Sequence, residues 1–306
     1  MTRSRLSVSY LAEGRRLHLG DGPIDLVIEA NGEAEMIAVA HDAAIVRAAT
    51  ILDELCAELP LLRSASTGGI TANSVVARRM QRAVARHART IFITPMAAVA
   101  GSVAEEVLAA MCGAARLDRA WVNNGGDIAL HLAEGASLTI GMVDRPDRPS
   151  LFGTIAIAAG DRVRGIATSG WRGRSFSLGI ADAVSVLAVD AASADAAATA
   201  IANAVDLPGH SAIRRAAANT LDPQSDLGDR AVTVAVGHLA LAEVARALDS
   251  GEERARDLAD TGAIVAAAIH LQGVTRIVGG AAWQPIITED DPSCRPNFLA
   301  SPSASS

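Results

Sequence analysis

Residues Gly165 to Val205 hold the densest set of groups in this chain that could do chemistry. The stretch 165–179 carries four glycines, Gly170 and Gly173 among them, with the hydroxyls of Thr168, Ser169 and Ser175. It also holds the guanidinium groups of Arg172 and Arg174 and the indole of Trp171. Amides of a glycine-rich turn can point together at an anion, so this composition suits a grip on phosphate. Trp171 could stack on a base or a flavin ring. The same residues also fit a plain glycine-rich turn with solvated arginines and an indole folded back on the core.

Further on, Asp195 and Thr199 stand four apart in an alanine-rich helical pattern over 194–204, and therefore share a face. A carboxylate and a hydroxyl beside an anion grip could hold Mg2+ on a nucleotide's phosphates, because magnesium needs few protein ligands when phosphates and waters supply the rest. The alternative is local: an acid in the first turn complements the helix dipole, Ser193 is the N-cap, and a helical threonine bonds the preceding turn.

The segment 122–127, VNNGGD, reads as the turn of a hairpin, since Asn-Gly accepts the positive φ such turns require. Asn123, Asn124, Gly125, Gly126 and Asp127 nevertheless exceed what a two-residue turn needs, which makes them candidate ligand contacts. The seven histidines are scattered without ligand spacing. Cys56, Cys112 and Cys294 form no spaced pair, so neither a disulfide framework nor a zinc site is indicated. No G-x-S-x-G elbow supports a hydrolase triad.

Composition narrows the chemistry further. The 306 residues have net charge −7, and every one of the 27 Lys-plus-Arg positions is arginine. Schiff-base chemistry, pyridoxal phosphate attachment and a P-loop lysine are thereby excluded. No basic stripe interleaves with aromatics, so nucleic acid is not an expected partner. The first residues, MTRSRLSVSYLAEG, lack the apolar run of a signal peptide. No later apolar run reaches about 18 residues, so a cytoplasmic protein without a membrane span is expected.

These groups must be positioned by a mixture of strands and helices. Alternation predicts strands at 5–10 and 24–30; 3.6-residue periodicity predicts helices at 41–62 and 75–89. Thr94 and Pro95 look like the start of a helix that ends at Gly113. A hairpin is expected from 121–123 and 128–132, with strands at 137–143, 153–158 and 183–189. A helix at 194–204, a strand at 231–236 and helices at 238–248 and 252–269 complete the pattern. The class is α+β, with mixed or antiparallel sheets packed with helices. One domain over 1–283 and an irregular tail over 284–306 are expected, and the apolar helices near 238–269 could bury a contact between copies in a homo-oligomer.

Three blocks, ITPMAAVAGSVAEEVL at 93–108, WVNNGGDIALHL at 121–132 and the 165–205 stretch, together resemble the ApbE superfamily. Its characterised branch transfers FMN from FAD to a protein threonine using magnesium. The chain looks most similar to the UPF branch of that superfamily, to about residue 283. The resemblance implies an ApbE-like fold, a flavin nucleotide (FAD or FMN) as ligand, Mg2+ as cofactor and an acceptor protein as partner. It matches N-x-G-G-D to Asn123, Gly125, Gly126 and Asp127, and T-S-G to Thr168, Ser169 and Gly170. It matches A-D-x-x-x-T, which supplies magnesium ligands, to Ala194, Asp195 and Thr199. If the protein is catalytic, Thr168 to Ser175 would cradle phosphate oxygens and Arg172 or Arg174 would stabilise the leaving phosphate.

The chain departs from the transferases in three respects. It has no lysine in the helix at 95–112, no histidine and D-P-x-T-G loop after T-S-G, and neither export signal nor lipid-anchor cysteine. Those departures leave two other readings open: a non-catalytic flavin- or nucleotide-binding accessory protein, or a factor in sulfur assimilation (sulfide or homocysteine), as associated with archaeal relatives in the UPF branch.

Overall fold

The computed structural model describes residues 5–11, 16–143 and 151–280 together with two short strands, 283–285 and 297–298. In chain order the first half gives β1 (Ser7–Leu11), β2 (Arg16–Asp21), β3 (Ile24–Asn31), α1 (Ala34–Ala57), α2 (Leu59–Leu62), α3 (Val75–Ala85) and α4 (Val99–Ala114). Then come β4 (Arg119–Asn124), β5 (Asp127–Leu132), β6 (Ser137–Val143), β7 (Leu151–Ala158), β8 (Gly165–Ser169), β9 (Ala183–Ala188) and α5 (Ala191–Ala204). The remainder is β10 (Ile213–Ala217), α6 (Ala218–Leu221), β11 (Ala231–Val236), α7 (Leu241–Asp260), β12 (Ala266–Leu271), β13 (Val274–Gly279), β14 (Trp283–Pro285) and β15 (Asn297–Phe298).

Two compact units share these elements, and their segments alternate along the chain. The first comprises 1–138, 157–167 and 187–196; the second comprises 139–156, 168–186 and 197–306. Both mix helices with mainly antiparallel strands, so the α+β class expected from sequence is the class observed. Apart from its two short strands, the tail expected over 284–306 lies outside the described residues.

In the first unit β1, β2, β3, β4 and β5 pair in sequence order, each antiparallel to the next, and β5 continues onto β8 through Ile128 opposite Ile166. Alternation places Leu17, Leu19, Leu26 and Ile28 on the buried face. They meet Ala44, Ala48 and Ile51 of α1, Met80 of α3 and Val103, Val107 and Met111 of α4 in one cluster. Each large side chain so buried contributes about 1.5–3 kcal/mol. By length and mean hydropathy (1.4) the 20 residues Pro95–Ala114 could cross a bilayer. Ser102, Glu105 and Glu106 interrupt their apolar run, and one face of α4 belongs to this core.

In the second unit β12 pairs antiparallel with β13, β10 with β11 and β7 with β14, while the short β15 runs parallel to β13. Helix α7 packs on β12 and β13. Here the periodicity misleads at one place. The helix expected over 252–269 ends at Asp260, after which Gly262 (φ 68°) turns the chain and Ala266–Leu271 form a strand buried at every residue. A wholly apolar run carries neither a 2.0 nor a 3.6 period, so burial on both faces hides a strand within a helical reading.

Candidate functional site

The VNNGGD hairpin turns at Gly125 (φ 65°) and Gly126 (φ 118°), with Asn124 opposite Asp127 in the ladder. Asn123 supports the turn by accepting the Gly126 N–H through Oδ1 at 2.8 Å. Asn124 is buried and faces the other way. Its Nδ2 donates to the Ala100 carbonyl at 3.2 Å and its Oδ1 accepts the Asp25 N–H at 3.3 Å. The turn is thereby fastened to the first turn of α4.

That first turn is capped from a distance. Residues 95–98 form a short 3-10 helix, α4 proper begins at Val99, and its N-cap is Ala98, which has no side-chain acceptor. The expected cap, Thr94, is extended (φ −107°, ψ 160°) and makes no capping bond. Instead the Asp195 carboxylate of α5 accepts the Gly101 N–H through Oδ2 at 3.0 Å and also the Ala100 N–H. The helix amides at this end are orphan donors that favour an anion. Asp195 supplies it.

The approach of α4 to α5 depends on missing side chains. A Cβ on Gly101 would stand 2.2 Å from the Ala191 carbonyl oxygen, and one on Gly165 would stand 2.1 Å from the Asp190 carbonyl carbon. Both glycines let other backbones lie directly on the start of α5. That start is capped by Asp190, whose Oδ1 accepts the Ser193 N–H at 2.6 Å; Ser193, the cap expected from sequence, stands inside the helix.

Burial, and next to it the charge of Asp127, holds the Asp195 carboxyl well above the ordinary carboxylate range, against the opposing pull of the Gly101 and Ala100 amides. Asp127 is itself buried at the first residue of β5. Two carboxylates 68 positions apart in sequence thus act on each other at low dielectric, which raises the cost of ionising both. Thr199 lies one helical turn beyond Asp195 on α5 and is half-buried. The donor set is oxygen-only, and among the described residues no group of three or more His, Cys, Asp or Glu side chains could cage a metal.

The residues 168–175 belong to the second unit. Thr168 and Ser169 end β8, so the T-S-G part of the expected loop is strand for two of its three residues. The Thr168 hydroxyl lies 3.0 Å from that of Ser185 on β9. Trp171 donates its indole N–H to Asp182 Oδ1 at 3.1 Å, and Arg172 Nε donates to the same oxygen at 2.5 Å. Gly173, Arg174 and Ser175 are exposed. The sequence reading passes over Asp182 and Asp190. Their only sequence signal is an acid at the margin of an apolar run, which many positions share.

The α+β class and the hairpin, α4 and α5 geometry can now be set beside known proteins. The family model described as AbpE bacteria matches residues 8–277. The chain belongs to that family. It is similar to a UPF0280 protein of Methanopyrus kandleri, 38% identical over 162 residues, covering 52% of this chain and 61% of the other. A UPF0280 protein of Methanothermobacter thermautotrophicus is 36% identical over 160 residues, covering 51% and 59%. The chain therefore spans about three-fifths of the length of these curated relatives. Among solved structures, Pseudomonas stutzeri flavinyl transferase ApbE in its apo form aligns over 93% of this chain and 95% of its own, at 10% identity and a TM-score of 0.40.

Proposed function

We propose that the protein binds a flavin nucleotide, FAD or FMN, through Mg2+ held at Asp195, and that it acts as an FMN-transferase-like or FAD-hydrolysing protein of the cytoplasm. The observation that carries this reading is the Asp127–Asp195 pair: two mutually opposed carboxylates at a helix start, the arrangement a divalent cation relieves. Asp195 would be the principal ligand, with the Thr199 hydroxyl one turn along the same helix and the Asp127 carboxylate adding charge. A cation bound there would neutralise phosphate oxygens and make phosphorus a better electrophile. The Ala100 and Gly101 amides fix Asp195 in one orientation, and Asn124 ties the N-x-G-G-D turn to the same helix end, so the ligands are set before the ion arrives. Transfer would further require an acceptor protein offering a hydroxyl; hydrolysis would use water.

Calorimetric titration of FAD, FMN, ADP and ATP, with and without Mg2+, tests the proposal. Flavin nucleotides should bind in a magnesium-dependent way, and Asp195→Ala should abolish that dependence while the far-UV spectrum stays unchanged. Absence of binding under every condition removes it. The missing lysine of the helix at 95–112 and the missing histidine after T-S-G favour a second reading, a non-catalytic flavin carrier. FAD recovered intact after long incubation with candidate acceptor proteins would select it.

A further inference from the structure

We propose that β1 is the contact through which two copies of this chain join, strand edge to strand edge about a two-fold axis at Ser9. Among the described residues β1 pairs with β2 alone and ends its sheet. Proteins ordinarily blunt such an edge with charge, proline or a bulge. Ser7–Leu11 reads SVSYL, with no charged residue and no proline, and faces Gly20 to Arg16 of β2 in unbroken register. All five residues are exposed, Val8 at 45% and Tyr10 at 54%.

The ladder decides which backbone groups stay open. The Gly20 carbonyl accepts the Ser7 hydroxyl at 3.1 Å, so it points at β1. Bonded and non-bonded pairs alternate along antiparallel strands. Ser7, Ser9 and Leu11 therefore direct their N–H and C=O groups to β2, and Val8 and Tyr10 turn theirs outward. Two donors and two acceptors at positions two apart are self-complementary. An antiparallel copy centred on Ser9 sets Val8 opposite the partner's Tyr10, and Tyr10 opposite the partner's Val8. Each pair exchanges two bonds, so four form about the axis and no outward group of the strand is left unmet. A pairing centred on Val8 or on Tyr10 would leave half of them without a partner inside the strand. The same register sets an aromatic ring directly across from a β-branched side chain, twice, which favours pairing. Ser9, small and opposite its own copy, lets the strands close.

Helix α1 runs beside this edge. Arg5, two residues before β1, donates to Asp53 at 2.9 Å, and the Tyr10 ring lies 5.8 Å from that of His41. Val46, seven residues before Asp53, shares the helix face that Arg5 reaches and is 73% exposed. It adds apolar surface to a contact whose strand carries no charge to repel a second copy.

Sedimentation of the full chain at rising concentration tests the proposal and should show a reversible monomer–dimer equilibrium. Proline at residue 8 removes only an outward N–H, so Val8→Pro should weaken dimerisation by about tenfold or more with the far-UV spectrum unchanged. Ser9→Lys and Ser9→Glu each set like charges across the axis. Either alone should be monomeric, and a one-to-one mixture should dimerise. Oxidised Ser9→Cys should link into a covalent dimer beyond the level of the native chain, because residues opposite in a non-bonded pair have Cα atoms about 4.5 Å apart; Val8→Cys should not. A chain monomeric at every concentration overturns the proposal. So does a dimer that Val8→Pro leaves intact, or one that Ser9→Cys fails to link, since either places the contact elsewhere. Should Val8→Pro unfold the strand, the Ser9→Lys and Ser9→Glu mixture decides, and its failure to dimerise overturns the two-fold pairing.

Discussion

Substitution of Gly101 by alanine tests how the carboxylate centre is built. The added Cβ would stand 2.2 Å from the Ala191 oxygen, 2.6 Å from the Ala191 carbonyl carbon and 3.0 Å from the Ala192 nitrogen. All three are backbone atoms and cannot rotate aside, so α4 must retreat from α5. Such overpacking costs about 1–3 kcal/mol. Retreat also stretches the 3.0 Å bond from the Gly101 N–H to Asp195, and a typical hydrogen bond is worth about 0.5–1.5 kcal/mol. Helix propensity returns about 1 kcal/mol. The net loss is about 0.5–3.5 kcal/mol, set against an ordinary stability of about 5–15 kcal/mol. It should lower Tm by about a few °C. Gly113 on the same helix is the control: nothing lies within 4 Å of its added Cβ, so Gly113→Ala should be neutral or stabilising by up to about 1 kcal/mol. Thermal and urea unfolding followed by circular dichroism measures both. A Gly101→Ala protein at least as stable as the parent, or a Gly113→Ala protein equally destabilised, refutes the argument from backbone approach.

Because burial and Asp127 raise the Asp195 carboxyl, the folded protein retains a proton that the unfolded chain releases near pH ~4. Stability of the metal-free protein should therefore fall as pH rises from there through the raised value, then level off. If Mg2+ binds at Asp195 as proposed, it displaces that proton, so its thermal stabilisation should grow across the same window, and Asp195→Asn should flatten both curves in thermal-shift assays. At the start of α5, Asp190→Ala should cost about 1 kcal/mol through loss of the cap on the Ser193 N–H. Ser193→Ala should change urea stability by only a few tenths of that.

Local rules carry a large part of this chain. The turn at Gly125–Gly126 follows from Asn-Gly chemistry, and the strands Ser137–Val143 and Ala231–Val236 stand where alternation puts them. Helix α5 begins three residues before the expected 194 because its cap is Asp190. Residues Ala266–Leu271 escaped because all six are buried, which erases the polar half of the strand pattern. The Gly165 end of the richest stretch reads as a phosphate loop, yet Gly165 is spaced for the backbone at Asp190.

What the sequence determined by itself is the inventory: an arginine-only cation set, an oxygen-rich set of candidate ligands and alternating runs that commit the chain to α+β. Tertiary structure alone decided that Asp195 caps α4 and feels Asp127, and that Asp182 takes up both Trp171 and Arg172. Turns and periods are governed by neighbours within a few residues. A helix end whose own cap residue is alanine must find its acceptor wherever the packing of two backbones brings one, and that partner lies 94 residues away.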